Sequence, residues 1–292
     1  MVFSLSQSEK EKIINHYQDY EVDSRNVHAQ KVYKYNNLTI TLYHDKVVFQ
    51  GPWSEVSTEY RDYWYIFDEK EIFVIGNDEV GTGDYFGPIV VTSCYLGSGM
   101  LEKLRQLGIK DSKALNDKTI YQLANAIMKI VLFESVIVNN RKYNQWIDQC
   151  YNANVIKAWG HNQVLVKILQ HKNHYEKIVI DQFVEEKKYY QYLENMEANK
   201  NRIVREKVFF TTKAESKYLA VACSAIISRY LFLEEIKKIS EEVKFPIPLG
   251  AGQPVSKFFH EHHNELPKDL KKFLLRHTKY HFANTKQILK SK

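Results

Sequence analysis

The chain has 292 residues, of which 44% are hydrophobic, and carries 41 Lys+Arg against 35 Asp+Glu for a formal net charge of +6. That length supports one large domain or two modest ones. No apolar run is long enough to span a bilayer, and the first residues lack the basic and apolar regions of a secretory signal, so a cytoplasmic protein with no membrane partner is expected.

The first 70 residues hold 8 Lys+Arg and 11 Asp+Glu, so the whole positive excess belongs to the remainder of the chain. "SEKEKIINHYQDY" predicts a helix with Ile13, Ile14 and Tyr17 on one face. "KVYKYNNLTITLYHDKVVFQG" alternates with period two, placing Leu38, Ile40 and Leu42 on one side and Thr39, Thr41 and Tyr43 on the other. Asn36-Asn37 and His44-Asp45 mark turns, "SEVSTEYRDYW" predicts a further helix, and residues 68–70 form a plausible junction. A small α+β domain over 1–70 follows: an open sheet with helices on one face.

From Glu71 the pattern changes. "EIFVIG", "GPIVVTSCYL", "VLFESVIV", "KIVID" and "KVFFTT" read as five strands, with apolar runs that suit a sheet covered on both faces. Helical stretches separate them: "LNDKTIYQLANAIMKI", "ANVIKAWGHNQVLVKILQH" and "AESKYLAVACSAIISRYLFLEEIKKISEEV". The alternation predicts an α/β domain over 71–292, a mixed sheet flanked by helices. Cys94, Cys150 and Cys223 are too scattered for a disulfide framework or a thiolate zinc site, and the apolar surroundings of Cys94 and Cys223 predict buried thiols.

The candidate chemistry lies in carboxylates at element ends. Asp78 and Glu79 follow the run Ile72–Ile75, Asp181 ends another strand, and Glu215 opens a predicted helix. Each alone is an ordinary turn or cap residue. Brought together they repel one another, and the usual reason to tolerate such a cluster is a divalent cation, with oxygen ligands favouring Mg2+ or Mn2+ over zinc. Gly81 and Gly83 bracket Thr82 directly afterwards and allow close backbone approach to a ligand. The spacing of Gly81, Gly83 and Gly87 is not that of a dinucleotide loop, and a strand rather than a helix follows. On a regular strand Asp78 and Glu79 point to opposite faces, so they share one site only if the strand bends or ends there, or if one acts through water.

At these residues the chain resembles the ribonuclease HIII branch of the type 2 ribonucleases H. "IGNDEVGTGDYFGPIVV", "IKDSKALND", "YNANVIKAWGHNQ", "VIDQF", "TKAESKYLAVACSAIISRY", "GAGQPV" and "KYHFANT" carry the resemblance through 71–292. It extends more loosely over 1–70, where it implies a substrate-binding domain similar to the TATA-box-binding protein fold. The resemblance implies a ribonuclease H-like catalytic domain and an active-site quartet of Asp78, Glu79, Asp181 and Glu215. Asp78, Glu79 and Asp181 are expected to hold Mg2+ or Mn2+. Gly81, Thr82 and Gly83 are expected to contact substrate, and Ser112 and Lys113 either meet phosphate or form a solvated turn.

The implied reaction is metal-assisted endonucleolytic hydrolysis of the RNA strand of an RNA/DNA hybrid, leaving 5′-phosphate and 3′-hydroxyl ends, with no obligate protein partner evident. The sister branch has arginine between the two glycines and aspartate at the fourth acidic position, where this chain has Thr82 and Glu215. Efficient cutting at a single embedded ribonucleotide is therefore not implied. Other readings are a non-catalytic hybrid-binding protein, a ribonuclease H-like nuclease acting on DNA or at single ribonucleotides, and a small-substrate phosphohydrolase. His161 and Asn162 read as a packed helical face more readily than as substrate contacts, and "HEHH" at 260–263 as a solvated helix segment. Tyr33, Tyr35 and Tyr43 with Lys31 suit either a nucleic-acid platform or cross-strand packing.

Overall fold

In the computed structural model, the described residues are 2–4, 7–24, 26–52, 73–109, 115–199, 202–262 and 264–290. They fall into two compact units, one within 1–68 and the other within 69–292. The helix expected over 54–64, the junction at 68–70, and Ser112, Lys113 and His263 lie outside the described residues.

The first unit is a five-stranded antiparallel sheet with a helix. Its strands are β1 (Val2–Ser4), β2 (Glu21–Val22), β3 (Lys31–Tyr35), β4 (Leu38–Leu42) and β5 (Lys46–Gln50), in the order β1-β5-β4-β3-β2, with helix α1 at Gln7–Tyr17. The register Tyr33↔Ile40 and Ile40↔Phe49 lines up one face. That face, with Leu38, Leu42 and Val47, packs on Ile13 and Tyr17. Tyr33 is fully buried and its ring lies 5.8 Å from that of Tyr17, while Tyr35 packs edge-on to Tyr17 and Tyr20. The tyrosines of β3 therefore build the core rather than a nucleic-acid platform. The opposite face carries Lys34, Thr39, Thr41 and Val48.

In the second unit the strands are β6 (Val74–Val80), β7 (Ile89–Leu96), β8 (Leu132–Val138), β9 (Lys177–Asp181) and β10 (Val208–Thr211), in the order β10-β9-β6-β7-β8. β7 runs antiparallel to both of its neighbours, β6 and β8, and β9 and β10 continue parallel to β6. This is the mixed sheet expected. β7 is buried along its whole length, including Thr92 and Ser93 within its apolar run.

Helices connect and cover the sheet: α2 (Leu101–Gln106), α3 (Asp117–Ile127), α4 (Asn140–Asp148), α5 (Ala153–His171), α6 (Glu186–Asn195) and α7 (Leu219–Val243). The tail adds α8 (Gln253–His262), α9 (Leu270–His277) and α10 (Ala283–Lys290). Sequence cues set several boundaries. The side chains of Asn116, Asn139 and Asn152 accept hydrogen bonds from the first-turn amides of α3, α4 and α5.

Two glycines let helices pack closely on the sheet. A Cβ on Gly76 of β6 would lie 2.3 Å from the Ala220 carbonyl carbon and the Val221 nitrogen of α7. The Ser224 hydroxyl donates to the Gly76 carbonyl at 2.8 Å, and the Ser228 hydroxyl to the Asp78 carbonyl at 3.2 Å. On the other face, a Cβ on Gly160 of α5 would lie 2.7 Å from Val91 Cγ2 of β7. Gly76→Ala should cost about 2–3 kcal/mol of stability, because helix and strand must part. Gly83→Ala, where nothing lies within 4 Å, should cost under about 0.5 kcal/mol. Chemical denaturation of both variants checks this, and equal midpoints would refute the close-approach account.

Candidate active site

β6 does not stop before the acidic pair but runs through it to Val80, so Asp78 and Glu79 face opposite sides of the sheet. Asp78 shares the face of Gly76, toward α7. Glu79 shares the face of Asn77, whose side-chain amide donates to the His161 carbonyl of α5.

On the Asp78 side, three carboxylates converge. The register Asn77↔Ile180 between parallel strands sets Asp181, the last residue of β9, one step on beside Asp78. β10 then returns Glu215. After Thr211, Lys213 adopts a left-handed conformation (φ 54, ψ 43), a strain of about 1 kcal/mol. The Ala214 amide donates to Asp181 Oδ1 at 2.8 Å, which locks the short 3-10 turn carrying Glu215 against β9. One oxygen each from Asp78, Asp181 and Glu215 lie within 4.8 Å of one another, the one such group among the described residues. Glu215 does not open a long helix as its sequence context suggests: α7 begins only at Leu219. Its position comes from the turn's bond to Asp181 and not from a helix dipole.

Burial pushes the Asp78 carboxyl well above the usual range, and the nearby charges of Glu79, Asp181 and Glu215 push it further. The hydrogen bond from the Glu79 amide to Asp78 Oδ1, at 2.7 Å, opposes this only in part. Asp78 is 8% exposed and Glu215 5%.

Glu79 meets the opposite environment. Its Oε1 accepts from Lys157 Nζ at 3.0 Å and its Oε2 bonds His161 Nε2 at 2.9 Å, both from α5. Burial raises its pKa, but the hydrogen bond and charge of His161 and the ammonium of Lys157 outweigh burial and hold it at about 2. A carboxyl lowered in the folded state contributes stability that is full above its unfolded value of 4.5 and is lost as the pH falls toward 2. Lys157 also lies 4.0 Å from the Phe183 ring centroid, and the His161 ring stacks on Phe183. Asn162, one residue on, is structural: its amide donates to the Arg202 carbonyl and its oxygen accepts from the Val204 amide.

The sequence reading passed over Lys157. The available signal was two polar residues four apart, Lys157 and His161, on a helix otherwise buried among apolar side chains.

The glycine loop after β6 is positioned by sterics. Gly81 has φ +99, and a Cβ there would meet the Pro88 carbonyl oxygen at 2.2 Å and the Phe232 ring at 3.0 Å. Gly83 faces open space, which leaves room for a ligand backbone. The Thr82 hydroxyl has no hydrogen-bond partner among the described residues.

Comparison with known proteins places the chain in a family. The family model described as Ribonuclease HII matches residues 75–285, and one described as a domain of unknown function (DUF3378) matches residues 1–62. The chain is similar to Ribonuclease HIII of Lactococcus lactis, 38% identical over 99% of this chain and 98% of that protein. It is also similar to Ribonuclease HIII of a Geobacillus strain, 36% identical over 95% and 93%. The chain belongs to the ribonuclease HIII family.

Among solved structures, a crystal structure of Bst-RNase HIII in complex with Mn2+ matches with a TM-score of 0.73 and 33% identity, covering 99% of this chain and 98% of that one. The ribonuclease HIII likeness thus extends through both units. No helix among the described residues is long and apolar enough to cross a membrane.

Asp78 is ionised at the expense of the fold, since its folded pKa lies above its unfolded one; the metal-free protein loses stability as the pH rises through that interval. Asp78→Asn should therefore melt higher than the parent at pH 7 without divalent metal, by about 2–4 °C per kcal/mol of repulsion released. Differential scanning calorimetry in chelator measures it, and a lower melting temperature would contradict the repulsion.

Proposed function

We propose that this chain is an endonuclease that hydrolyses the RNA strand of RNA/DNA hybrids with Mg2+ or Mn2+, leaving 5′-phosphate and 3′-hydroxyl ends. The observation that carries this reading is the convergence of the Asp78, Asp181 and Glu215 oxygens within 4.8 Å. Such a donor set, all hard carboxylate oxygen and mutually repelling, fits a divalent cation of the Mg2+ or Mn2+ type. A bound divalent ion supplies charge to offset the phosphate and makes water a stronger nucleophile near neutral pH.

The side chains divide the remaining work. Asp78, Asp181 and Glu215 would hold the metal. Glu79, which the resemblance puts among the metal ligands, stands on the other face of β6 and is clamped by Lys157 and His161. It keeps negative charge beside the cluster at a fixed position.

Gly81, Thr82 and Gly83 present backbone and a hydroxyl to the 2′-hydroxyl that distinguishes RNA from DNA. Ser112 and Lys113 are assigned to the phosphate backbone. Residues 71–292 form the catalytic part and 1–70 a substrate-binding domain of the TATA-box-binding type. Because Tyr33 and Tyr35 pack against Tyr17, the face offered to the hybrid is the one with Lys34 and Thr39. That domain is net acidic, so it acts through local hydrogen bonds and few phosphate contacts.

A strand-specific cleavage assay in Mg2+ and in Mn2+ tests the reading, with RNA/DNA hybrid, duplex DNA, duplex RNA and a single-ribonucleotide junction as substrates. The RNA strand of the hybrid should be cut and the duplexes left intact. The junction should be cut poorly, because Thr82 offers no positive charge beside the scissile phosphate. Asp181→Asn should lower kcat at least about 100-fold. Cleavage of duplex DNA, or wild-type turnover by Asp181→Asn, would refute the assignment.

A further inference from the structure

We infer that Lys279 is a positioning residue: from the C-terminal tail it holds the far end of the Gly81–Thr82–Gly83 loop in the form that meets the RNA strand. The inference rests on the proposed reading of that loop as a substrate contact.

Lys279 is fully buried, which is rare for lysine. Its ammonium donates to the carbonyl of Asp84 at 2.7 Å and to that of Gly87 at 2.9 Å. These carbonyls belong to the segment immediately after Gly83. Burial draws the Lys279 pKa down to about 7, offset in part by the Asp84 charge. A buried ammonium costs stability that an apolar side chain in the same place would not. What the ammonium supplies instead is geometry: several donors aimed at two carbonyls of one loop.

Asp84 is held from every side. Its amide donates to the Gly81 carbonyl at 3.4 Å, closing the turn around Thr82 and Gly83. Its Oδ1 accepts from the Gly250 amide at 2.6 Å. The next residue, Tyr85, donates its amide to the Gly250 carbonyl and accepts from the Lys279 amide, both at 2.8 Å. The Gly87 carbonyl also accepts from Asn140 Nδ2 at 2.9 Å, and the Gly87 amide donates to the His277 carbonyl. Two segments remote in sequence, around Gly250 and 277–280, thus grip residues 84–87. Upstream, β6 fixes Val80 and the Pro88 carbonyl confines Gly81. The three-residue arc between is anchored at both ends and open at Gly83.

The test uses the full chain and compares kcat and KM on one RNA/DNA hybrid with the Mn2+ affinity of the substrate-free protein. Lys279→Met keeps the volume and removes both hydrogen bonds. It should raise KM about tenfold while kcat and Mn2+ affinity stay within about twofold. Asp84→Ala, which releases the same segment from Gly250, should show the same split and decides the matter if Lys279→Met does not fold. Leu193→Ala, in the core around Ile178 and Tyr189, should lower the melting temperature without moving KM, which separates positioning from general destabilisation. Folded variants at both loop positions with the parent's KM would overturn the inference. So would a joint loss of kcat and Mn2+ affinity, which would place Lys279 with the carboxylates. If the parent cleaves no hybrid, the functional reading itself fails, and the inference with it.

Discussion

Repulsion among three converging carboxylates, two buried and one half-buried, is the constraint around which the catalytic unit is organised. Left to themselves, Asp78, Asp181 and Glu215 would separate or take up protons. They are kept together by backbone geometry that their charges cannot relax. Parallel register sets Asp181 beside Asp78, and a left-handed Lys213 followed by a hydrogen bond from the Ala214 amide to Asp181 returns Glu215 to the pair. The close approach of α7 at Gly76 then holds the strand bearing Asp78 against the helix that follows Glu215. Stability given up at the cluster is recovered in the packing around it.

Two adjacent residues show how one strand can use negative charge in opposite ways. Glu79 is neutralised by the protein itself, through Lys157 and His161, and its pKa falls to about 2. Asp78, one residue earlier, faces other carboxylates and is pushed the other way. Because strand neighbours alternate faces, one acidic dipeptide places a charge fixed by the protein's own cations on one side and a repelling charge on the other. A cation that binds the second side relieves strain already present in the metal-free fold.

Much of this was legible in the sequence, and the remainder was hidden for physical reasons. The five strands of the second unit show in their apolar runs, and the acidic residues at 78, 79 and 181 stand out through their combination, since each alone is an ordinary turn or cap residue. The alternation question for Asp78 and Glu79 could be posed but not answered, since it turns on whether β6 continues, and Val80 looks the same in either case. Glu215 was placed at a helix start because "AESKYLAVACS" reads continuously as helix. The break at Lys217 and Tyr218 comes from the bond between the Ala214 amide and Asp181, which is a tertiary interaction.

Lys157 was missed because a single lysine on a long helix normally points to water. Tyr33 and Tyr35 were ambiguous because β3 alternates cleanly, and only packing against Tyr17 decides which face is inside. Lys279 opens the segment "KYHFANT", but nothing in the sequence marks it as buried. Its partners are backbone carbonyls, which no side-chain pattern reveals.

The central claim, that the acidic cluster is a cation site held under electrostatic strain, is tested most directly by titrating Mn2+ into the protein without nucleic acid. Calorimetry at mildly acidic pH, in buffers of different ionisation enthalpy, measures affinity and proton release together. The account predicts saturable binding, with protons released as Asp78 ionises, and binding weakened at least about tenfold in Asp181→Asn. Mn2+ binding of equal strength in Asp181→Asn, with no proton release in either protein, would contradict it.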